Sequence, residues 1–252
     1  MVARVYFIGA GPGDPELLTI KARKIIETAD VIIYADSLIN PEICNYSKKG
    51  AEIHRSASLS LEETQQIISQ AVQEGKTVAR LQSGDPGIFG AINEQMALLD
   101  EQGIEYTVVP GVSSLFAAAA ALKSELTIPE LSQTVIITRL EGKTPVPAGE
   151  SLRSLAVHQA TLAVFLSISM IELVESELLA GGYVPDTPVA VVYRASWPDQ
   201  KICRTTLNNL ARKVKESGIT RQALILVGGF LDARNKGAKS KLYDRNFKHG
   251  YR

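Results

Sequence analysis

Three short loops carry the residue types best suited to holding a small ligand. They are Gly9-Ala10-Gly11-Pro12-Gly13-Asp14-Pro15, Ser83-Gly84-Asp85-Pro86 and Pro110-Gly111-Val112-Ser113-Ser114. Each follows an apolar run that reads as a parallel strand, so each falls at the carboxyl edge of a sheet, where open α/β sheets bind their ligands. Together they offer backbone donors and acceptors, small side chains and the carboxylate of Asp85. Those groups suit a small zwitterion with hydroxyls better than a polyphosphate. The first loop comes close to GxGxxG, but its third glycine is Gly13 and Asp14 takes the next place. A dinucleotide pyrophosphate would rest on that helix N-terminus, where a carboxylate would repel it. Gly-x-x-x-x-Gly-Lys-Ser/Thr is absent, which removes the phosphate loop of a nucleoside triphosphate enzyme. His54, His158 and His249 are scattered without metal-ligand spacing, and no metal is expected.

The elements that must position these loops can be read from periodicity. Val5–Ile8, Val31–Tyr34, Thr77–Leu81 and Tyr106–Val109 read as strands. Leu18, Ala22, Ile25 and Ala29 recur at helical spacing behind Asp14 and Pro15, an N-cap and N1 pair. Ser60 and Glu63 form a capping box, and Ile92, Met96 and Leu99 mark a further helix. Strands joined by helices imply right-handed crossovers and a mainly parallel sheet. The Ala-rich stretch 115–122 predicts a packed helix. Beyond Pro129 the pattern shifts to strands at 134–138, 161–166, 189–193, 201–205 and 223–227, with helices starting near Ser151, Ser169 and Thr206. The fold class predicted is α/β in two domains, a mainly parallel sheet in 1–112 and a mixed sheet in 113–252.

Composition bounds the function. The 252 residues are 45% apolar and carry 27 Lys+Arg against 27 Asp+Glu. Zero net charge argues against a general nucleic-acid binder. It conceals an asymmetry, because residues 232–252 hold seven Lys or Arg and two Asp, a net +5. That basic tail reads as a solvated arm or an anion-attracting one, with Tyr243, Phe247 and Tyr251 at helical spacing. Cys44 and Cys203 form no CxxC, which fits reduced cytoplasmic thiols. No signal-peptide pattern opens the sequence, and the apolar run from Leu115 to Leu122 is too short to span a bilayer. A cytoplasmic location without membrane or nucleic-acid partners is expected.

With these loops in view, the sequence resembles the tetrapyrrole methylases, S-adenosylmethionine-dependent enzymes that build corrin and sirohaem precursors. The likeness covers nearly the whole chain. It rests on Val5 to Pro15, Tyr34-Ala-Asp-Ser-Leu38, Ser83 to Pro86, Val109 to Ser114, Thr161 to Leu166 and Ala223 to Gly228. Narrower stretches are similar to one branch, which methylates precorrin-4, with or without cobalt, at carbon 11 in cobalamin synthesis. Those stretches are Thr138 to Pro147, Tyr193 to Lys201, and Ser240 to Asp244 with Phe247, His249 and Gly250.

The resemblance implies a homodimer of two-domain chains with S-adenosyl-L-methionine folded into the cleft between the domains. It assigns cofactor contacts to Pro12, Ser83, Gly84, Asp85, Ile88, Ser113, Ser114, Leu166, Ala195 and Gly228. Methyl transfer needs alignment and exclusion of water more than it needs a nucleophilic side chain. A base to deprotonate the alkylated ring would be Asp36, which follows the second strand at the same sheet edge. The substrate is an acidic tetrapyrrole, and Arg80, Arg139, Lys143, Arg194 and Lys201 are the cations that would hold its carboxylates. Other readings stay open at this point. One is a nucleotide-dependent oxidoreductase, disfavoured by Asp14 and the misplaced glycine. Another is a methylase of the same fold acting on another tetrapyrrole carbon, on RNA or on protein; a third is a noncatalytic binding module.

Overall fold

Runs of apolar residues that end in glycine, proline or a small polar residue become the inner strands of two sheets. The computed structural model describes residues 5–232 and 250. The basic tail, with Tyr243, Phe247, Tyr251 and the Ser240–Asp244 stretch, lies outside them. The chain divides into two units. The first comprises residues up to Ala117 together with Ala195–Asp199, and the second Ala118–Arg194 together with residues from Gln200 onward.

The first unit contains β1 (Val5–Gly9), β2 (Val31–Tyr34), β3 (Glu52–Arg55), β4 (Val78–Gln82) and β5 (Tyr106–Val109), in the order β3-β2-β4-β1-β5. Every pairing is parallel. Parallel strands covered on both faces are apolar throughout rather than alternating, and β1 and β2 follow that rule. On one face Ile8, Ile32, Tyr34 and Leu81 pack with Ala22 and Ile26 of α1 (Ile20–Ile26). On the other Val5, Phe7, Val31, Ile33 and Val78 meet Ile68 of α2 (Leu61–Gln73) and Leu99 of α3 (Asn93–Glu101). The chain leaves this unit within α4 (Ser114–Leu122), the Ala-rich helix.

Two local outcomes differ from the sequence expectation. Asp14 and Pro15 open only a 3-10 turn over Pro15–Leu17, because Leu18 is extended at ψ 139. Thr19 then caps α1 separately, its hydroxyl accepting from the Ala22 N–H at 3.1 Å. Strand β3 was not expected, since an edge strand reading Glu-Ile-His-Arg, largely exposed, carries no apolar run. The Ser60–Glu63 capping box forms in both directions.

The second unit contains β6 (Val135–Arg139), α5 (Leu152–Ala156), β7 (Thr161–Phe165), α6 (Ile171–Ala180), β8 (Pro188–Tyr193), β9 (Lys201–Thr206), α7 (Leu210–Ser217) and β10 (Ala223–Val227). The order is β6-β7-β10-β8-β9. Only β6 and β7 are parallel; the other pairs are antiparallel, so the sheet is mixed. Its core joins Leu162, Val164, Val189, Val191, Ile225 and Val227 to Leu152, Val174, Leu178, Leu210 and Val214 of the helices. Among the described residues no helix is long and apolar enough to cross a membrane.

Candidate functional site

The carboxyl edge of the first sheet brings the three Gly/Pro loops together because β1, their shared neighbour, lies between β4 and β5. The first two loops pair like strands. Gly84 N–H donates to the Gly11 carbonyl at 2.8 Å, and Gly11 N–H to the Gly84 carbonyl at 3.2 Å. Gly9, Gly84 and Gly111 then cross at van der Waals distance. A Cβ on Gly9 would stand 2.5 Å from Gly111 Cα and 2.8 Å from the Gly84 oxygen. One on Gly111 would stand 2.3 Å from that same oxygen. The third loop is tied to the second by Asp85, whose Oδ2 accepts from Gly111 N–H at 2.8 Å while Oδ1 accepts from Gly87 N–H at 2.8 Å. Asp85 is therefore a clamp between loops as well as a candidate ligand contact.

The remaining first-unit candidates sit on this framework. Pro12 and Gly84 are buried, Ser83 is exposed at the lip, and Ile88 is half-buried. Ser113 is buried and its Oγ accepts from Leu115 N–H at 3.3 Å, ahead of Ser114 at the start of α4. Ala195 is buried on the segment that returns to this unit from the second sheet.

That returning segment grips the first loop. Trp197 Nε1–H donates to the Pro12 carbonyl at 2.9 Å. Asp14 N–H donates to Ser196 Oγ at 3.0 Å, and Asn40 Nδ2 donates to the Gly13 carbonyl at 2.9 Å. The indole lies directly on Gly13, where a Cβ would be 2.1 Å from Trp197 Cδ1. The sequence marks Tyr193 to Lys201 only as a stretch of family resemblance and gives no local sign of this grip. A contact across more than 180 positions leaves no local signal, and only the residue type, the chain's one tryptophan, hinted at it.

Asp36 is exposed beyond β2, and its Oδ1 accepts from Ala57 N–H at 3.3 Å. Arg80 points into the face covered by α2 and α3. Its Nη1 donates to Ser56 Oγ at 2.8 Å and its Nε to Gln95 Oε1 at 3.1 Å. Both acceptors are neutral, and burial pushes the guanidinium down to about 10, leaving it protonated at neutral pH. Ser56 and Gln95 carried no sequence signal, because their partner is reached only across the sheet.

In the second unit the strand register collects four candidates at one end of the sheet. Arg139 ends β6 opposite Phe165, Leu166 follows β7, Arg194 follows β8, and Lys201 opens β9 opposite Tyr193. Leu166, Arg194 and Gln222, all at this end, have φ of 54, 44 and 51. Left-handed non-glycine residues are costly and cluster at ligand sites. Leu166 is also 67% exposed, unusual for leucine. Ser167 holds the end in place: its Oγ accepts from Leu140 N–H at 2.8 Å and donates to the Phe165 carbonyl at 2.6 Å.

Two expectations are corrected here. Gly228 follows β10, antiparallel to β7, so it lies at the opposite end of the sheet from Leu166, beside Ala160. Roughly 16 Å of strand separates the two. Arg139, expected as a free cation, is turned onto its own loop. Its Nη1 donates to the Thr144 carbonyl at 3.0 Å and its Nη2 to the Pro145 carbonyl at 2.7 Å, stapling the loop that exposes Lys143. No group of three metal-ligating side chains occurs among the described residues.

Residues 4–211 match the model of the tetrapyrrole (corrin/porphyrin) methylases. The chain is 58% identical to a cobalt-precorrin-4 C(11)-methyltransferase of Methanocaldococcus jannaschii over 99% of its own length and 96% of that protein. It is 47% identical to a precorrin-4 C(11)-methyltransferase of Pseudomonas aeruginosa, covering 98% of each. A solved cobalt precorrin-4 methyltransferase, described as a cobalamin biosynthetic enzyme, superposes with a TM-score of 0.89 at 50% identity over 91% of this chain and 96% of that one. A uroporphyrin-III C-methyltransferase of Thermus thermophilus complexed with S-adenosyl homocysteine gives a TM-score of 0.77 at 29% identity, covering 92% of this chain and 100% of that one.

Proposed function

The chain belongs to the tetrapyrrole (corrin/porphyrin) methylases, and from that premise we propose that it transfers a methyl group from S-adenosylmethionine to carbon 11 of precorrin-4, with cobalt in the ring, during cobalamin synthesis. The observation that carries the reading is end-to-end likeness to relatives of that activity, two of them, at 58% and 50% identity, named for the cobalt form. The interlocked loops support the cofactor. They are rich in backbone donors and acceptors, lack side chains where Gly9, Gly84 and Gly111 cross, and carry carboxylates rather than phosphate-binding cations. That donor set fits a zwitterion with ribose hydroxyls. Pro12, Ser83, Gly84, Asp85, Ile88, Ser113, Ser114 and Ala195 are the residues of the first unit that would hold it.

Bound S-adenosylmethionine supplies a sulfonium methyl that is already electrophilic, so the protein contributes alignment and dryness. Asp85 fixes the spacing of the second and third loops through Gly87 and Gly111. Its remaining lone pairs are available to an ammonium or hydroxyl. Asp36, exposed beyond β2, would be the base that takes a proton from the alkylated ring. Arg194, Lys201 and Lys143 at the end of the second sheet, and Arg80 in the first, are the cations for the substrate carboxylates.

Mass and NMR analysis of the product from precorrin-4, with and without cobalt, tests the reaction; methylation elsewhere than carbon 11 would overturn it. Asp36→Asn lowers turnover by about 100-fold while leaving the affinity for S-adenosylhomocysteine within twofold. Unchanged single-turnover rates in that variant would remove Asp36 from the mechanism. The same reading carries a cytoplasmic homodimer, and light scattering at twice the 27.3 kDa chain mass is the expected result.

A further inference from the structure

We propose that Trp197, assisted by Ser196, is a positioning residue for the cofactor: the Ala195–Asp199 segment is the template on which the first glycine loop sets before it can bind S-adenosylmethionine. The inference rests on the methyltransferase reading and deepens it.

The loop between β1 and the 3-10 turn has little of its own to hold it. Gly11 is left-handed at φ 75 and Pro12 has no N–H. Its shape past Gly11 is set from outside. The indole N–H takes the Pro12 carbonyl, the Ser196 hydroxyl takes the Asp14 N–H, and Asn40 takes the Gly13 carbonyl. Trp197 and Ser196 thus supply two of these three grips, and both arrive from sequence far outside the loop. The indole ring also covers Gly13 so closely that no side chain fits between them. This explains glycine at 13, where a glycine is not needed for a phosphate. Ser196 is itself left-handed at φ 70 and follows Arg194 at φ 44. Strained backbone of this kind persists only where its surroundings over-determine it. Removing the indole N–H leaves the Pro12 carbonyl without that donor and lets the loop wander, so the cost falls on the ligand that needs the loop ordered.

Trp197→Phe keeps an aromatic slab against Gly13 and deletes the donor. Ser196→Ala deletes the acceptor for Asp14. Each variant is expected to weaken S-adenosylhomocysteine by about five- to tenfold in calorimetric titration, the loss of one hydrogen bond. Each is expected to raise the KM for S-adenosylmethionine by a similar factor, with the KM for the tetrapyrrole and the kcat at saturation unchanged within twofold. In the wild type, the single tryptophan's emission shifts when S-adenosylhomocysteine binds. Wild-type affinity in folded Trp197→Phe and Ser196→Ala overturns the proposal, as does a lowered melting temperature with unchanged affinity, which marks the segment as scaffold only. Equal rises in both KM values overturn it too. Failure of the wild type itself to bind S-adenosylhomocysteine falls instead on the methyltransferase reading, and takes this proposal with it.

Discussion

Asp85 has two oxygens and uses each on a different loop, so its amide analogue separates its roles. Asp85→Asn must turn an NH2 toward Gly87 or Gly111 and loses one charged hydrogen bond. Bonds of that kind contribute about 1.5–3 kcal/mol. We expect affinity for S-adenosylhomocysteine to fall by about tenfold or more, measured by calorimetry, with a detectable loss of melting temperature. Arg80 makes the opposite case. Its guanidinium is buried against Ser56 and Gln95 with no acid within salt-bridge distance among the described residues. Because burial lowers its folded value to about 10, the folded state disfavours its proton, and that cost is present at all pH below about 10. Arg80→Met, of similar volume, therefore leaves the melting temperature unchanged or raised. If the guanidinium also holds a substrate carboxylate, the same variant raises the KM for the tetrapyrrole about tenfold; an unchanged KM leaves Arg80 a structural cation. The identity of Asp85 was legible in Ser83-Gly-Asp-Pro86, but its partners were not. Gly111 lies on another strand, and nothing local reports which carboxylate oxygen will find it. The surroundings of Arg139 were hidden for the same reason, since carbonyls of its own loop take its guanidinium with no charge partner among the described residues.

At the scale of elements, the parallel strands were legible wherever both faces are buried, as in Val31-Ile-Ile-Tyr34. Capping chemistry was legible at Ser60 because its signal lies within four residues. The 3-10 turn at Pro15 shows the limit. Asp14 caps there as expected, yet a second cap at Thr19 restarts the chain as α1 in a new direction. Strand β3 escaped because it is held by one neighbour, β2, and by register rather than apolar content. Backbone crossing at the loop ends has an energetic signature. Gly9→Ala forces a Cβ against backbone of two other loops, where no side chain can turn aside. Overpacking of this kind costs about 1–3 kcal/mol and sometimes more. Denaturant unfolding should show that loss, whereas Gly103→Ala, with open space around it, should lose only the smaller cost of its left-handed backbone.

Over the whole molecule, acid stability should depend on a group outside the site. Lys48 foremost, then the Thr77 N–H, hold the Asp30 carboxyl below its ordinary value. A depressed folded value contributes stability that is present above the unfolded value, about 3.9, and is lost as pH falls through the folded one. Asp30→Asn should therefore flatten the decline in melting temperature as pH falls below about 4. The two-sheet plan was legible from the shift in pattern after Pro129. The return of Ala195–Asp199 to the first unit was not, because it is a property of the tertiary contacts alone. The crossing of Gly9, Gly84 and Gly111 has a consequence for how the chain is made. Gly9 ends β1 while Gly84 and Gly111 follow β4 and β5, so the loops cannot interlock until all three strands are registered. Non-local pairings of this kind form late. A nascent chain that has not passed residue 111 has no third loop, and so no route to ligand rescue. Ligand stabilisation, which acts only on the state that binds, thus protects finished molecules against unfolding but does little to hasten their first folding.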